Sequence, residues 1–381
     1  MTIKIAHLVN SYSTGGLERV IANLINHTQS ERIQHIIITK KPEFSFASAL
    51  DHDIPMYSLY KKEGKDFASH FRLYKLLRKL APDVLHTYNF GTIEYHPVAA
   101  LAGVTRQVHA EHGRESTNRF LSSPRKYFLY LRAMLLFINY FVVVSDNLQE
   151  WGEQQLNVTK KKLKLIYNGI DLNRFCRQNA GSKSKDETDQ PEPTGNKGFI
   201  FITVGRLVDV KNHKLLIDAF KLATEQSDAL KNTALNIVGD GPNHDDLQKQ
   251  IDHSGLSEQV KLLGNRTNVA ELLLESDVFL LSSKYEAQPM TILEAMACQL
   301  PVIVPNVGGL GFLIEDGKNG TLVKPNDIQS MADALITAVQ QFDTVKDYGK
   351  AGRAFVEKHF SVEAMSKQYL SLYEDTNTSQ V

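Results

Sequence analysis

Two glutamates separated by seven residues stand in the segment Tyr285-Glu-Ala-Gln-Pro-Met-Thr-Ile-Leu-Glu-Ala-Met-Ala297. Pro289 suits the first turn of a helix. Glu286 then falls just before that helix, and Glu294 about one and a half turns inside it. The unpaired amides at a helix start carry partial positive charge and make a site for phosphate. Carboxylates on either side of such a site accept hydrogen bonds from the hydroxyls of a phosphorylated sugar and of a ribose. On spacing alone, a solvated glutamate and a capping glutamate are the commoner outcome.

A basic pair lies in Thr203-Val-Gly-Arg-Leu-Val-Asp-Val-Lys-Asn212, directly after an apolar run. Arg206 and Lys211 would project from the carboxyl end of a strand, where open α/β sheets bind ligands. Two cations there can hold a diphosphate and stabilise it as a leaving group without metal. A basic pair in a loop is otherwise solvated surface. In Ser13-Thr-Gly-Gly-Leu-Glu-Arg19, Gly15 and Gly16 allow close backbone approach to a ligand at a helix start, or simply make a turn. The segment is not G-x-G-x-x-G, so it does not support a nicotinamide fold.

Val108-His-Ala-Glu-His-Gly113 brings His109, Glu111 and His112 together. The spacing is not H-E-x-x-H and no cysteine joins it, which disfavours a metal site. A structural histidine and a ligand-facing His112 both remain open. Asp51-His52-Asp53, the only D-x-D, precedes Ile54-Pro55 and reads as a turn, so a metal-chelating transferase is disfavoured.

The elements that must position these groups alternate along the chain. Strand-like runs at Ile3–Asn10, Ile33–Thr39, Met56–Leu59, Val84–His86 and Phe141–Ser145 are interspersed with helical patterns at Leu17–Asn26, His70–Leu80 and from Arg125 onward. After Asn168-Gly-Ile-Asp171 comes a polar stretch, 179–196, with almost nothing to bury. The rhythm restarts at Phe199–Gly205 and continues through Ala234–Gly239, Val260–Leu263, Val278–Ser282, Val302–Val304 and Gly320–Val323. This is the βαβ pattern of parallel sheets covered on both faces. It predicts two doubly wound α/β domains, 1–174 and 198–358, joined by a linker at 175–197, with the cleft between them as the expected site. A last helical pattern, Val362–Tyr373, follows the second domain.

The bulk numbers fit that reading. A chain of 381 residues, 42% hydrophobic and 23% charged, exceeds what one core usually serves. Basic and acidic residues balance at 43 each, so no global field draws the chain to nucleic acid. Two cysteines, Cys176 and Cys298, form no C-x-x-C pair, which points to a reducing cytoplasm. The N-terminus reads as a strand rather than a signal peptide. Tyr127 to Val144 is broken by Arg132 and Asn139 and falls short of a membrane span.

These motifs, in this order, resemble the retaining GT-B glycosyltransferases of family four. The pattern is a Gly-Gly loop after the first strand, a His-Gly in the N-terminal half, G-R-x-x-x-x-K, then E-x7-E and a P-V-I strand with a Gly-Gly, here Pro301-Val-Ile-Val-Pro-Asn-Val-Gly-Gly309. Val143-Val-Ser-Asp146, Val238-Gly-Asp-Gly-Pro242 and Leu263-Gly264 are lesser echoes, and the similarity runs from Ile5 to about Phe360.

The resemblance implies a GT-B fold, two Rossmann-like domains facing each other across a cleft, and a final helix, 359–376, crossing back to the first domain. It implies that Gly16 places its amide near the donor diphosphate or the acceptor, with Gly15 beside it. His112 would approach the transferred sugar. Arg206 and Lys211 would grip the diphosphate, Glu286 the sugar hydroxyls and Glu294 the ribose, with amides after Gly308 or Gly309 at the phosphates. Gly239, Asn265, Ala287, Gln288, Pro289, Met290 and Thr291 complete the implied donor site. The departing phosphate would take the acceptor's proton on the same face and so retain configuration.

No metal and no other cofactor is implied; the nucleotide-sugar, a UDP-sugar in most relatives, is a co-substrate. The implied acceptor is a glycan or lipid-linked sugar in bacterial surface polysaccharide synthesis. Ala287-Gln288 stands where the family often has Gly and an apolar residue, which bears on the sugar's identity. A GT-B epimerase and a non-catalytic nucleotide-sugar binder are the alternatives. The epimerase would not need the Glu pair together with Arg206 and Lys211, and the binder should have lost them. Basic side chains at Arg106, Arg114, Arg119, Arg125, Lys126 and Arg132, and at Arg72, Lys75, Arg78 and Lys79, suggest either solvated helix faces or peripheral contact with anionic lipid at the inner face of the membrane.

Overall fold

Residues 5–9 of the first strand, and the whole of Tyr140–Val143 and Thr233–Val238, are buried, as strands covered on both faces must be. The computed structural model describes residues 2–13, 15–113, 124–175 and 198–375. The polar stretch 179–196, Cys176, Arg114 and Arg119 lie outside them. Contacts divide the chain into two units, Met1–Gly169 with Val362–Val381, and Ile170–Ser361.

The first unit runs β1 (Ile3–Val9), α1 (Gly16–Thr28), β2 (Ile33–Thr39), β3 (Met56–Ser58), α2 (Phe67–Leu80), β4 (Val84–Tyr88), α3 (His96–Leu101), β5 (Arg106–Glu111), α4 (Pro124–Met134), β6 (Tyr140–Val143), α5 (Asp146–Gln154) and β7 (Leu163–Leu165). Its seven strands are all parallel, in the order β3-β2-β1-β4-β5-β6-β7. Between α2, α3 and the sheet, Leu8, Ile38, Leu73, Leu77 and Tyr95 form one apolar cluster.

The second unit runs β8 (Phe199–Val204), α6 (His213–Gln226), β9 (Thr233–Val238), α7 (His244–His253), β10 (Val260–Leu262), α8 (Val269–Leu274), β11 (Val278–Leu280), α9 (Met290–Ala297), β12 (Val302–Pro305), α10 (Leu310–Leu313), β13 (Thr321–Val323), α11 (Ile328–Gln340) and α12 (Phe342–His359). Its six parallel strands lie in the order β10-β9-β8-β11-β12-β13, over a core that includes Phe201, Phe220, Leu235 and Leu335. The last helix, α13 (Val362–Glu374), belongs to the first unit and packs on α1.

Strand order reverses between β1 and β4 in one sheet and between β8 and β11 in the other. Such switch points open a crevice at the carboxyl ends of the strands.

Three features differ from the sequence reading. The first unit ends at Gly169 rather than at 174, because the Ile170 amide donates to the Phe360 carbonyl at 2.9 Å and Arg353 donates to the Phe175 carbonyl at 2.9 Å. These bonds tie 170–175 to the second unit. Helix α2 begins a turn earlier than His70, at Phe67, whose apolar side chain faces solvent and so breaks the apolar periodicity. Strands β5 and β7 appear where no strand was expected. Among the described residues no helix is long and apolar enough to cross a membrane.

Candidate active site

The loops leaving β8 and β11 flank the switch point of the second sheet, and they are bolted together. Ser282 Oγ donates to the carbonyls of Lys211 and Asn212, at 3.0 and 3.1 Å, and the Lys284 amide donates to the Val210 carbonyl at 2.8 Å. Asn212 takes a left-handed conformation, φ 55°, to open α6. Across this brace Lys211 Nζ lies 2.5 Å from Glu286 Oε1, with both side chains largely buried, at 20% and 11% exposure. Ser283 Oγ donates to the same oxygen at 2.6 Å. Glu286 is thus held by a cation from one loop and a hydroxyl from its own. Arg206, on the same loop as Lys211, is exposed and makes no ion pair among the described residues.

The Gly-Gly after β12 fixes the backbone of Glu286. The Gly309 amide donates to the Glu286 carbonyl at 2.8 Å. Gly308 has φ +54°, and a Cβ there would come within 1.9 Å of that carbonyl oxygen. This corrects the expectation that amides after Gly308 or Gly309 serve phosphates: the Gly309 amide is committed to Glu286 and the Leu310 amide to the Val307 carbonyl, at 3.0 Å. Gly239, φ +132°, has a similar role. A Cβ there would stand 2.0 Å from the Gly205 carbonyl oxygen, and its amide donates to Gly264 at 2.8 Å. It supports the turn that carries Arg206. Asn265, just past β10, is exposed.

Pro289 is the N-cap of α9 rather than a residue of its first turn, since its ψ of 125° is extended. No side chain caps this helix. The first amides, at Met290 and Thr291, therefore start an uncapped helix directly after Glu286, Ala287 and Gln288. Ala287 and Met290 are buried and Gln288 half-buried, so this rim is shaped rather than loose. Glu294 is buried inside α9.

In the first unit, Gly15 is the N-cap of α1 and Gly16 its exposed first residue. Asn89, left-handed at φ 59°, clamps the end of β5. Its amide donates to the Ala110 carbonyl and its Oδ1 accepts from the His112 amide, both at 2.8 Å. Burial, with His109 adding to it, pushes the His112 imidazole down to about 3, so it is neutral at physiological pH. Burial pushes the neighbouring Glu111 carboxyl up to about 8, against one backbone hydrogen bond from Gly113.

Inside the sheet a chain of hydrogen bonds runs from His35 to His7 at 2.8 Å, His7 to Tyr88 at 2.8 Å, Tyr88 to His86 at 2.9 Å and His86 to Tyr373 of α13 at 2.7 Å. On the other face Thr87 joins His96 and His109, at 2.8 and 2.7 Å. Sequence reasoning singled out His109, beside Glu111 and His112, but missed Ser283, Asn89, His7, His35, His86 and His96. Their partners lie on other strands, and alternation of His within apolar strands was the one signal available. Asp51-His52-Asp53 forms an exposed bend, and among the described residues no group of three or more His, Cys, Asp or Glu is placed to hold a metal.

The family described as glycosyl transferases group 1 matches residues 184–355, and glycosyltransferase family 4 matches residues 14–174. The chain is 31% identical over 343 residues to the Escherichia coli UDP-Gal:alpha-D-GlcNAc-diphosphoundecaprenol alpha-1,3-galactosyltransferase, covering 88% of this chain and 87% of that one. This chain is a group 1 glycosyltransferase.

Other comparisons agree with that family. A Campylobacter jejuni N-acetylgalactosamine-N,N'-diacetylbacillosaminyl-diphospho-undecaprenol 4-alpha-N-acetylgalactosaminyltransferase is 26% identical, over 91% of this chain and 92% of its own. Anabaena HepE, solved with UDP and glucose, superposes with a TM-score of 0.77 at 23% identity, over 97% of this chain and 98% of its own. A glycosyltransferase from Rickettsia africae gives a TM-score of 0.79 at 18% identity, over 98% of each chain. These solved structures share the GT-B fold with this group 1 glycosyltransferase.

Proposed function

We propose that this glycosyltransferase moves a hexose or N-acetylhexosamine from a UDP-sugar to a lipid-linked glycan acceptor, with retention, in bacterial surface polysaccharide synthesis. The observation that carries the proposal is the Lys211–Glu286 ion pair of 2.5 Å, set between two switch-point loops and immediately before an uncapped helix start. The uncapped amides of α9 suit phosphate oxygens. Arg206 and Lys211 supply positive charge where a diphosphate departs. Glu286 faces the sugar as positive charge develops at its anomeric carbon, and Glu294 takes the ribose hydroxyls.

The bond from the anomeric carbon to the phosphate oxygen breaks, and a bond to the acceptor oxygen forms on the same face. The departing phosphate oxygen takes the acceptor's proton. Arg206 and Lys211 neutralise the leaving group, so the step needs no metal. His112, neutral through burial, offers a hydrogen bond rather than a charge to the transferred sugar. A UDP-sugar and a diphosphoundecaprenol acceptor are named for the Escherichia coli relative, which supports both assignments here. A lipid-linked acceptor also places the enzyme at a membrane surface on the cytoplasmic side.

A thermal-shift panel of UDP-, GDP- and ADP-sugars tests the donor. A ligand selective for the native state stabilises it by about 2.7 kcal/mol at a hundredfold excess over its Kd. The UDP-sugar should give the large shift, and the product's anomeric configuration by NMR should match the donor's. A shift confined to GDP- or ADP-sugars, an inverted product, or a free epimerised sugar nucleotide would overturn the assignment.

A further inference from the structure

Helix α2 has a solvent face that its fold does not require. Ser69, Leu73 and Leu77 are buried against the domain, and the opposite stripe is Phe67, Phe71, Lys75, Arg78 and Lys79 at helical spacing. Phe67 is 79% exposed and Phe71 58%, one turn apart, and Lys75 Nζ sits 4.5 Å above the Phe71 ring. Leu101, at the end of the adjoining α3, is 77% exposed. Segment 60–80 carries seven Lys or Arg side chains against two acids, and one of those acids, Asp66, is taken by Arg72 at 2.7 Å. Lys75, Arg78 and Lys79 have no carboxylate partner among the described residues.

Two basic residues of the other region, Arg106 and Arg132, are engaged within the fold. Arg106 donates to the carbonyls of Tyr373 and Asp375, and Arg132 to those of Leu156 and Gln155. Arg72 is likewise spent, on Asp66 and on the Leu59 carbonyl at 2.6 Å. Lys75, Arg78 and Lys79 face solvent, and Phe67 and Phe71 lie beside them on the same stripe.

We propose that the outer stripe of α2 docks on an anionic lipid bilayer, with Phe67 and Phe71 entering the interface and Lys75, Arg78 and Lys79 at the phosphates. This rests on the lipid-linked acceptor reading and names the surface that would bring the enzyme to that acceptor. Exposed rings are costly in water and gain on entering the acyl boundary, while long basic side chains reach back to headgroup charge. A bilayer bearing negative headgroups satisfies both halves of the stripe at once.

The test is flotation of the full chain with vesicles of phosphatidylcholine alone or with added phosphatidylglycerol. Alongside it runs activity on a water-soluble acceptor lacking the lipid. Wild type should float with the anionic vesicles, be released by salt, and stay behind with the neutral ones. Phe67→Ser/Phe71→Ser, and separately Lys75→Gln/Arg78→Gln/Lys79→Gln, should each lower partitioning about tenfold or more, with unchanged Tm and unchanged activity on the soluble acceptor.

Variants that float like wild type would refute α2 as the surface while leaving the acceptor reading intact. Wild type that ignores anionic vesicles, or binds neutral ones equally, would refute the docking itself. Wild type that floats but fails to use any lipid-linked acceptor would instead remove the acceptor reading.

Discussion

Lys211 Nζ lies 2.5 Å from Glu286 Oε1, and Ser283 Oγ reaches the same oxygen from 2.6 Å. The contact joins the loop after β8 to the loop after β11, across the point where strand order reverses. Both of its charged members are thereby held in place before any donor arrives, which is what electrostatic preorganisation requires.

Removing the hydroxyl should expose this arrangement. Ser283→Ala deletes one hydrogen bond to Glu286, worth about 0.5–1.5 kcal/mol, or roughly two- to tenfold in kcat. In a double-mutant cycle, Lys211→Met and Glu286→Gln should couple by about 1–3 kcal/mol in kcat/KM. Strict additivity of the two would mean that the pair does not act as a unit.

Gly308 should tolerate no side chain. Alanine there puts a Cβ within 1.9 Å of the Glu286 carbonyl oxygen, at φ +54°, so both the clash and the conformation oppose it. Gly308→Ala should lower Tm and cut kcat by about a hundredfold or more, through displacement of Glu286. Gly317→Ala is the control: its φ of +71° is as strained, but nothing lies within 4 Å of the added carbon. Differential scanning fluorimetry and initial rates on both variants decide; equal effects would deny Gly308 its special place.

Acid should weaken the first unit once pH falls below about 6.5. Burial pushes His35, His96 and His109 from 6.5 down to about 3. The unfolded chain therefore binds protons that the native state refuses, and stability is lost as pH falls from 6.5 towards 3. Each imidazole costs roughly 1.4 kcal/mol per pH unit inside that window. Glu111 acts in the opposite sense. Raised from 4.5 to about 8, it keeps a proton that the unfolded chain releases, so its cost grows as pH rises through that range. Glu111→Gln should raise Tm at pH 8 and leave it nearly unchanged at pH 4.5. A Tm that is flat between pH 7 and pH 4 in wild type would contradict the neutral histidine network.

Activity should survive exhaustive chelation. Arg206 and Lys211 occupy the loop where a diphosphate would leave, and the D-x-D at residues 51–53 is an exposed bend in the other unit. Initial rates with EDTA are the check, and a strict need for Mn or Mg would defeat the cationic leaving-group assignment.

The fold was legible because buried parallel strands are written as unbroken apolar runs. Ile33–Thr39 matched to the residue, and most others to within one or two. Arg206, Lys211 and Glu286 drew attention because their loops follow such strands directly, and Glu294 because it stands eight residues beyond Glu286, inside α9. What escaped notice depends on contacts between distant segments. Ser283 looks like any loop serine until Lys211 is placed beside it. The Gly308-Gly309 pair was assigned to phosphate because its partner, a backbone carbonyl, has no sequence signature. His7, His35 and His86 drew no reading from the sequence because their partners lie on neighbouring strands, and they form a bonded chain across three of them. Phe67 hid the start of α2 because apolar periodicity assumes that rings face inward.

The most direct test of the site is the steady-state kinetics of Glu286→Gln and Glu294→Gln on well-folded protein. If Glu294 holds the ribose equally in ground and transition states, its loss should raise the donor KM by about ten- to a hundredfold and spare kcat. Glu286 stands where the sugar gains positive charge, so Glu286→Gln should lower kcat more than it raises KM. Near-wild-type kcat and donor KM in both variants would contradict the assignment of this pair to the donor.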